Sequence, residues 1–80
     1  MNPSDISQLI AAGFAGADIK VMSDDNTHFE AIVVASEFEG KRPLARHQLV
    51  YRTLGALVGN EIHALSIRAY TPDEWQQQAG

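Results

Sequence analysis

The chain has 80 residues, no cysteine and a formal charge of −4, from ten acids set against six bases. A domain of this size buries only about 60% of the surface its unfolded chain exposes, so a single core, residues 1–80, is all that fits. The lack of cysteine excludes disulfides, thiolate metal sites and thiol nucleophiles, and the acidic balance argues against tight non-specific binding to nucleic acid, which needs Lys and Arg to displace counterions from phosphates.

Asn2-Pro3-Ser4-Asp5 is a helix start, with Asn2 or Ser4 as the cap and an acid in the first turn. Ile6, Leu9 and Ile10 follow at helical spacing, and Gly13 ends the helix. Ala17 to Val21 alternates strictly, which predicts a strand burying Ala17, Ile19 and Val21. Ser23-Asp24-Asp25-Asn26-Thr27 is turn chemistry, and the β-branched run from Phe29 to Ser36 makes the second arm of an antiparallel hairpin, with His28 where that arm begins. Phe38-Glu39-Gly40-Lys41 breaks the strand. From Pro43 the pattern is helical, with Leu44, His47, Tyr51, Leu54 and Val58 along one side and Val50 and Leu57 alongside, and the helix stops at Gly59-Asn60. A third strand spans Ala64 to Tyr70. Thr71 then caps a short helix, with Pro72 in its first turn and Glu74 completing a capping box; Trp75 folds back onto the body.

The order is α–β–β–α–β–α, which predicts an α/β (α+β, two-layer) domain with a three-stranded mixed sheet packed against helices. No basic segment followed by an apolar run opens the chain, and no stretch approaches the roughly 20 apolar residues of a membrane span. The expectation is a soluble, cytoplasmic protein with no membrane partner.

Topology brings two histidines together. The path from the second strand through the long helix to the third strand is a β–α–β crossover, which sets its two strands parallel. His28 precedes one strand and His63 the other, so both imidazoles fall on one rim, separated by one strand spacing of about 4.8 Å or twice that. One metal can see both if the strands are adjacent. Two histidines leave a coordination shell that water, substrate or a partner must complete, and Asp24 or Asp25 could contribute in a mononuclear site. The structural alternative, in which each histidine is a hydrogen-bonded end of a strand, stays open. His47, beside Arg46, Val50 and Tyr51, fits packing between helix and sheet better than ligation.

Lys41, Arg42, Arg46 and Arg52 are four of the six bases and fall within a dozen positions. They predict one locally positive face, either a solvated helix surface or a site for an anion or partner. Gly13-x-x-Gly16 has the spacing of a phosphate-clamping loop but lacks a basic neighbour before Lys20, so it is treated as two turn glycines. No nucleophile elbow, phosphate-binding loop or paired-carboxylate cleft can be placed, and Ser66 has no recognisable base and orienting acid. An enzyme is not expected.

Thr27-His28-Phe29, Phe38-Glu39-Gly40-Lys41, Arg46-His47-Gln48-Leu49-Val50-Tyr51, Ile62-His63-Ala64-Leu65-Ser66-Ile67 and Tyr70-Thr71-Pro72-Asp73-Glu74-Trp75 occur in that order. Together they give the stretch from Ile6 to Trp75 a close resemblance to the BolA-like proteins, in their short bacterial, acid-stress branch. The resemblance implies a fold like class II KH domains and a partnership with a monothiol glutaredoxin. The two proteins would share a [2Fe–2S] cluster, with the glutaredoxin cysteine and the thiol of glutathione as the other ligands. His63 matches the family's main cluster ligand. The second ligand comes from the β1–β2 loop and is a cysteine in some branches and a histidine in others; His28 is the imidazole available there. Ligation by both would make the site somewhat Rieske-like and raise its potential, while ligation by His63 alone would leave the cluster more labile. Two other functions remain open. One is a nucleic-acid-binding regulator contacting DNA through Lys41, Arg42, Arg46 and Arg52; the other is an interaction module whose histidines never meet metal.

Overall fold

The computed structural model describes residues 1–62 and 64–79. Helix α1 (Pro3–Gly13) starts at Asn2, whose side chain accepts from the Asp5 N–H at 3.0 Å while the Asp5 carboxylate accepts from the Asn2 N–H at 3.2 Å. This reciprocal box satisfies two donors that a helix start leaves without partners. Strands β1 (Asp18–Met22) and β2 (His28–Val34) pair antiparallel, and β3 (Ala64–Tyr70) lies parallel to β2, giving the order β1-β2-β3. Helix α2 (Pro43–Leu54) forms the crossover between β2 and β3, and α3 (Pro72–Ala79) closes the described chain. The expected α–β–β–α–β–α order and mixed sheet are present.

The period of two along each strand sorts the sheet into two faces. Phe29, Ala31, Val33 and Ile67 point to the core and meet Ile6 and Ile10 of α1, Val50 and Leu54 of α2, and Phe14 and Phe38 from the connections. Ile19 and Val21 on the edge strand β1 are only half-buried against this core. The opposite face is ruled by register into rows: Met22–Glu30–Ser66, then Lys20–Ile32–Arg68, then Asp18–Val34–Tyr70. Trp75 of α3 packs on Tyr70 with ring centroids 5.3 Å apart, covering that last row. Among the described residues, no helix is long and apolar enough to cross a membrane.

Two expectations for α2 need correction. The helix ends at Leu54 and not at Gly59-Asn60, because Gly55 takes φ +56° and ψ −132°, a conformation side chains resist, and a 3-10 turn, Gly55–Leu57, follows. Its inner face is also rotated from the one expected. Val50 and Leu54 are buried, with Leu49 and Leu57 packed beside them, whereas Leu44 and Tyr51 stand in solvent. Arg46 fixes this rotation by donating to the carbonyl oxygens of Lys41 at 2.8 Å and Ala69 at 3.1 Å. Strand β2 likewise stops earlier than Ser36. Ala35 donates to Tyr70 O at 3.0 Å, and the chain then turns through a 3-10 segment, Ser36–Phe38, that seats Phe38 in the core.

Candidate functional site

The β1–β2 turn is organised by Asp25. Its Oδ1 accepts from the backbone N–H groups of Thr27 and His28, both at 2.9 Å, so one carboxylate oxygen folds the turn and starts β2. Ser23 adds a second tie, its hydroxyl donating to His28 O at 2.6 Å and accepting from the Asn26 N–H at 2.9 Å. The other Asp25 oxygen, Oδ2, lies 2.9 Å from Nδ1 of His28. Donation from the His28 backbone, then from its side chain and from the Thr27 backbone, holds the Asp25 carboxyl well below the usual carboxylate range.

That ionisation decides the histidine's tautomer. An ionised carboxylate can only accept, so the proton of the shared hydrogen bond sits on Nδ1 of His28. In the neutral ring the lone pair is then on Nε2, and the His28 side chain is 71% exposed. A carboxylate fixing one imidazole nitrogen while the other faces outward is how proteins prepare histidines for metals. Asp25 thus orients the His28 imidazole, a role distinct from the direct ligation considered from sequence. The Asp-x-x-His spacing inside a turn was the available signal. Asp24 stays exposed and lines the same pocket without bonding to His28.

The pocket beside this turn has a volume of about 370 Å³ and includes Asp25, His28, Glu30, Ala64 and Ser66 in its walls. Ala64 is there because the parallel register sets it directly opposite His28. His63, the residue before Ala64 in the chain, lies outside the described residues. The expected adjacency of the two strand starts is therefore seen at His28 and Ala64. Among the described residues no three His, Asp or Glu side chains form a group able to hold a metal ion.

The four cations predicted as one face divide in two. Lys41, Arg42 and Arg52 are exposed. Arg46 is turned inward, its side chain 11% exposed and paired with Glu74. Sequence reasoning left Glu74 as a capping residue and gave no sign of this partner. His47 is half-buried on α2, as expected for packing.

Residues 6–74 match the family model described as BolA-like protein. Over 51 residues the chain is 53% identical to the "DNA-binding transcriptional regulator BolA" of Vibrio cholerae; that match spans 64% of this chain but only 48% of the relative's length. Over 78 residues it is 37% identical to an "Uncharacterized protein in rpoN-murA intergenic region" of Acinetobacter guillouiae, with 96% of this chain and 93% of the relative covered. A solved BolA homologue from Coxiella burnetii superimposes with a TM-score of 0.79 at 44% identity, covering 95% of this chain and 97% of that one.

Proposed function

This chain belongs to the BolA-like protein family, and on that footing we propose that it is a non-enzymatic adaptor that binds a monothiol glutaredoxin and shares with it a glutathione-supported [2Fe–2S] cluster, in iron–sulfur assembly, trafficking or iron sensing. The observation that carries this proposal is the His28 rim: an exposed imidazole with Nδ1 tied to Asp25, opposite the residue that follows His63. The donor set suits a shared centre. Two histidines, of which His28 stands at an open rim, would supply neutral nitrogen ligands and leave room for thiolates from outside, which a chain without cysteine must borrow. When bound, such a cluster supplies one-electron chemistry and transferable iron and sulfide. The protein's own part is to orient His28 through Asp25 at the start of a strand fixed by the core, and to supply His63 as the second imidazole.

The test is anaerobic reconstitution of this chain with a monothiol glutaredoxin, glutathione, iron and sulfide, followed by visible circular dichroism of the wild type, His28→Ala and His63→Ala. A spectrum distinct from that of glutaredoxin alone, lost in His63→Ala and weakened in His28→Ala, supports the adaptor. A spectrum unchanged by adding this chain, or by removing His63, overturns it.

The name of the Vibrio cholerae relative favours a second reading, a DNA-binding regulator. Here it would rest on Lys41, Arg42 and Arg52, since Arg46 is engaged within the fold. Each phosphate contact should steepen the fall of affinity with salt, so charge reversal at Arg42 and Arg52 should flatten that dependence. Affinity for DNA that ignores both substitutions would remove this reading.

A further inference from the structure

The two edges of the sheet are treated differently. On the β3 edge, Leu65 O accepts from the Tyr51 hydroxyl at 3.4 Å and Ala69 O from Arg46 Nη1 at 3.1 Å, so α2 caps that edge. The β1 edge has no such cover. The Ala35 N–H donates to Tyr70 O, which fixes the side of β2 that bonds to β3; by alternation, Glu30, Ile32 and Val34 turn their backbone groups toward β1. Their register partners Met22, Lys20 and Asp18 therefore bond to β2. The N–H and C=O groups of Ile19 and Val21 point away from the sheet, and among the described residues nothing bonds to them. Such an edge is a template for another strand.

We propose that β1 pairs antiparallel with β1 of a second copy of this chain, with Ile19 on the twofold axis, so that the two sheets become one. Charge selects both the partner and the register. Registers that bond the outward-facing groups to each other set odd-numbered residues opposite odd-numbered ones. With Ile19 opposite Val21, Lys20 would face Lys20; with Ile19 opposite Ala17, Asp18 would face Asp18; and centring on Val21 would set Asp18 against Asp24. With Ile19 opposite Ile19, Asp18 faces Lys20 on both sides of the axis. Asp18 and Lys20 are exposed on the outer face, and among the described residues neither has an ion-pair partner within its own chain. As a pair whose backbone groups bond elsewhere, they would take the closer cross-strand spacing, Cα to Cα about 4.5 Å. In the same register Ile19 exchanges both its free groups with its copy, and the Val21 N–H reaches Ala17 O. The half-buried Ile19 and Val21 side chains gain cover on the core side. An isologous contact of this kind closes on itself and does not propagate. It lies on the edge opposite β3, leaving α2 and the start of β3 free.

Sedimentation equilibrium of the full chain at physiological salt, at concentrations up to about 1 mM, tests the pairing, with a dissociation constant of about 0.1–1 mM expected for so small a seam. Asp18→Lys and Lys20→Asp should each weaken self-association about tenfold, since each opposes like charges at both cross-strand pairs. The double exchange, and an equimolar mixture of the two single variants, should restore it, because either puts opposite charges face to face again. Undisturbed amide NMR signals from the core verify the fold of each variant. In a mixture of labelled and unlabelled chains, the Hα protons of Asp18 and Lys20 should show an intermolecular contact. A chain that stays monomeric throughout, or a dimer indifferent to both single substitutions, would overturn the proposal. So would a monomer in which added glutaredoxin shifts the Ile19 and Val21 amides, which would give the edge to that partner.

Discussion

Arg46 and Glu74 meet as a two-pronged pair across 28 residues of chain, with Nη1 donating to Oε1 at 2.6 Å and Nη2 to Oε2 at 3.1 Å. Glu74 at the same time accepts from the Thr71 N–H at 2.9 Å, while its own N–H donates to Thr71 Oγ1 at 3.2 Å. The capping box that starts α3 is thereby bolted to α2, and through the Arg46 bonds to Ala69 O and Lys41 O it is also bolted to the end of β3 and to the connection before α2. The guanidinium carbon lies 5.9 Å from the centre of the buried Phe38 ring, which adds a cation–π contact.

Arg46→Ala should destabilise the fold by about 2–3 kcal/mol, because it removes several charge-assisted hydrogen bonds together with packing on Phe38. Arg46→Lys should recover less than half of that, since an ammonium cannot reproduce the planar fork. Urea unfolding of the two variants checks both. Wild-type stability in Arg46→Ala would mean the pair is ornamental.

The same pair predicts a pH dependence. The Arg46 side chain, aided by the Thr71 N–H, lowers the Glu74 pKa from 4.5 to about 2. A carboxyl depressed in the folded state contributes stability that is present in full above its unfolded pKa and lost as pH falls through its folded one. The gap in urea midpoint between wild type and Glu74→Gln should therefore be constant at neutral pH, shrink below about pH 4.5 and close near pH 2. A gap that does not vary over this interval would show that Glu74 acts through shape and not charge.

Local signals were legible in the sequence. Asn2 and Asp5, and Thr71 and Glu74, declare their caps because the partners are three residues apart, and the crossover between β2 and β3 follows from chain order and a rule of handedness. What stayed hidden depends on distant partners. Helix α2 carries two apolar stripes, Leu44–Tyr51 and Val50–Leu54, and the choice between them is made by the core and by Arg46, whose ties reach Ala69 and Glu74. The candidate site was legible in part. His28 was visible as the start of a strand, but whether Asp25 would ligate a metal or orient the imidazole depends on a side-chain geometry that spacing leaves open.

Packing between α1 and α2 offers a third prediction. A Cβ built on Gly13 would lie 2.5 Å from Thr53 Cγ2, well inside van der Waals contact. Gly13→Ala should therefore destabilise by about 1–3 kcal/mol despite the better helix propensity of alanine. Thr53→Ser removes the offending methyl and keeps the hydroxyl that donates to Val50 O at 2.6 Å, so the double variant should regain most of the loss. A double-mutant cycle in thermal or urea unfolding measures the coupling; simple additivity would place the cost elsewhere.

Asp25→Asn separates the two roles of the turn carboxylate. The amide oxygen of Asn can still accept from the Thr27 and His28 N–H groups, as Oδ1 does now, so the turn should survive. The amide nitrogen, taking the place of Oδ2 opposite His28 Nδ1, is a donor, and it requires Nδ1 to accept. The ring proton then moves to Nε2, and the lone pair facing outward is lost. Imidazole nitrogen shifts measured by NMR on the metal-free protein at a pH where the ring is neutral should report the switch from Nδ1–H to Nε2–H, with the hairpin signals unchanged. In the reconstituted mixture the same variant should retain the cluster about tenfold less well, in line with the loss of an orienting carboxylate. An unswitched tautomer would show that Asp25 does not set the ring. A switched tautomer with undiminished cluster retention would instead show that Nε2 of His28 is not a ligand, leaving His63 to carry the cluster alone.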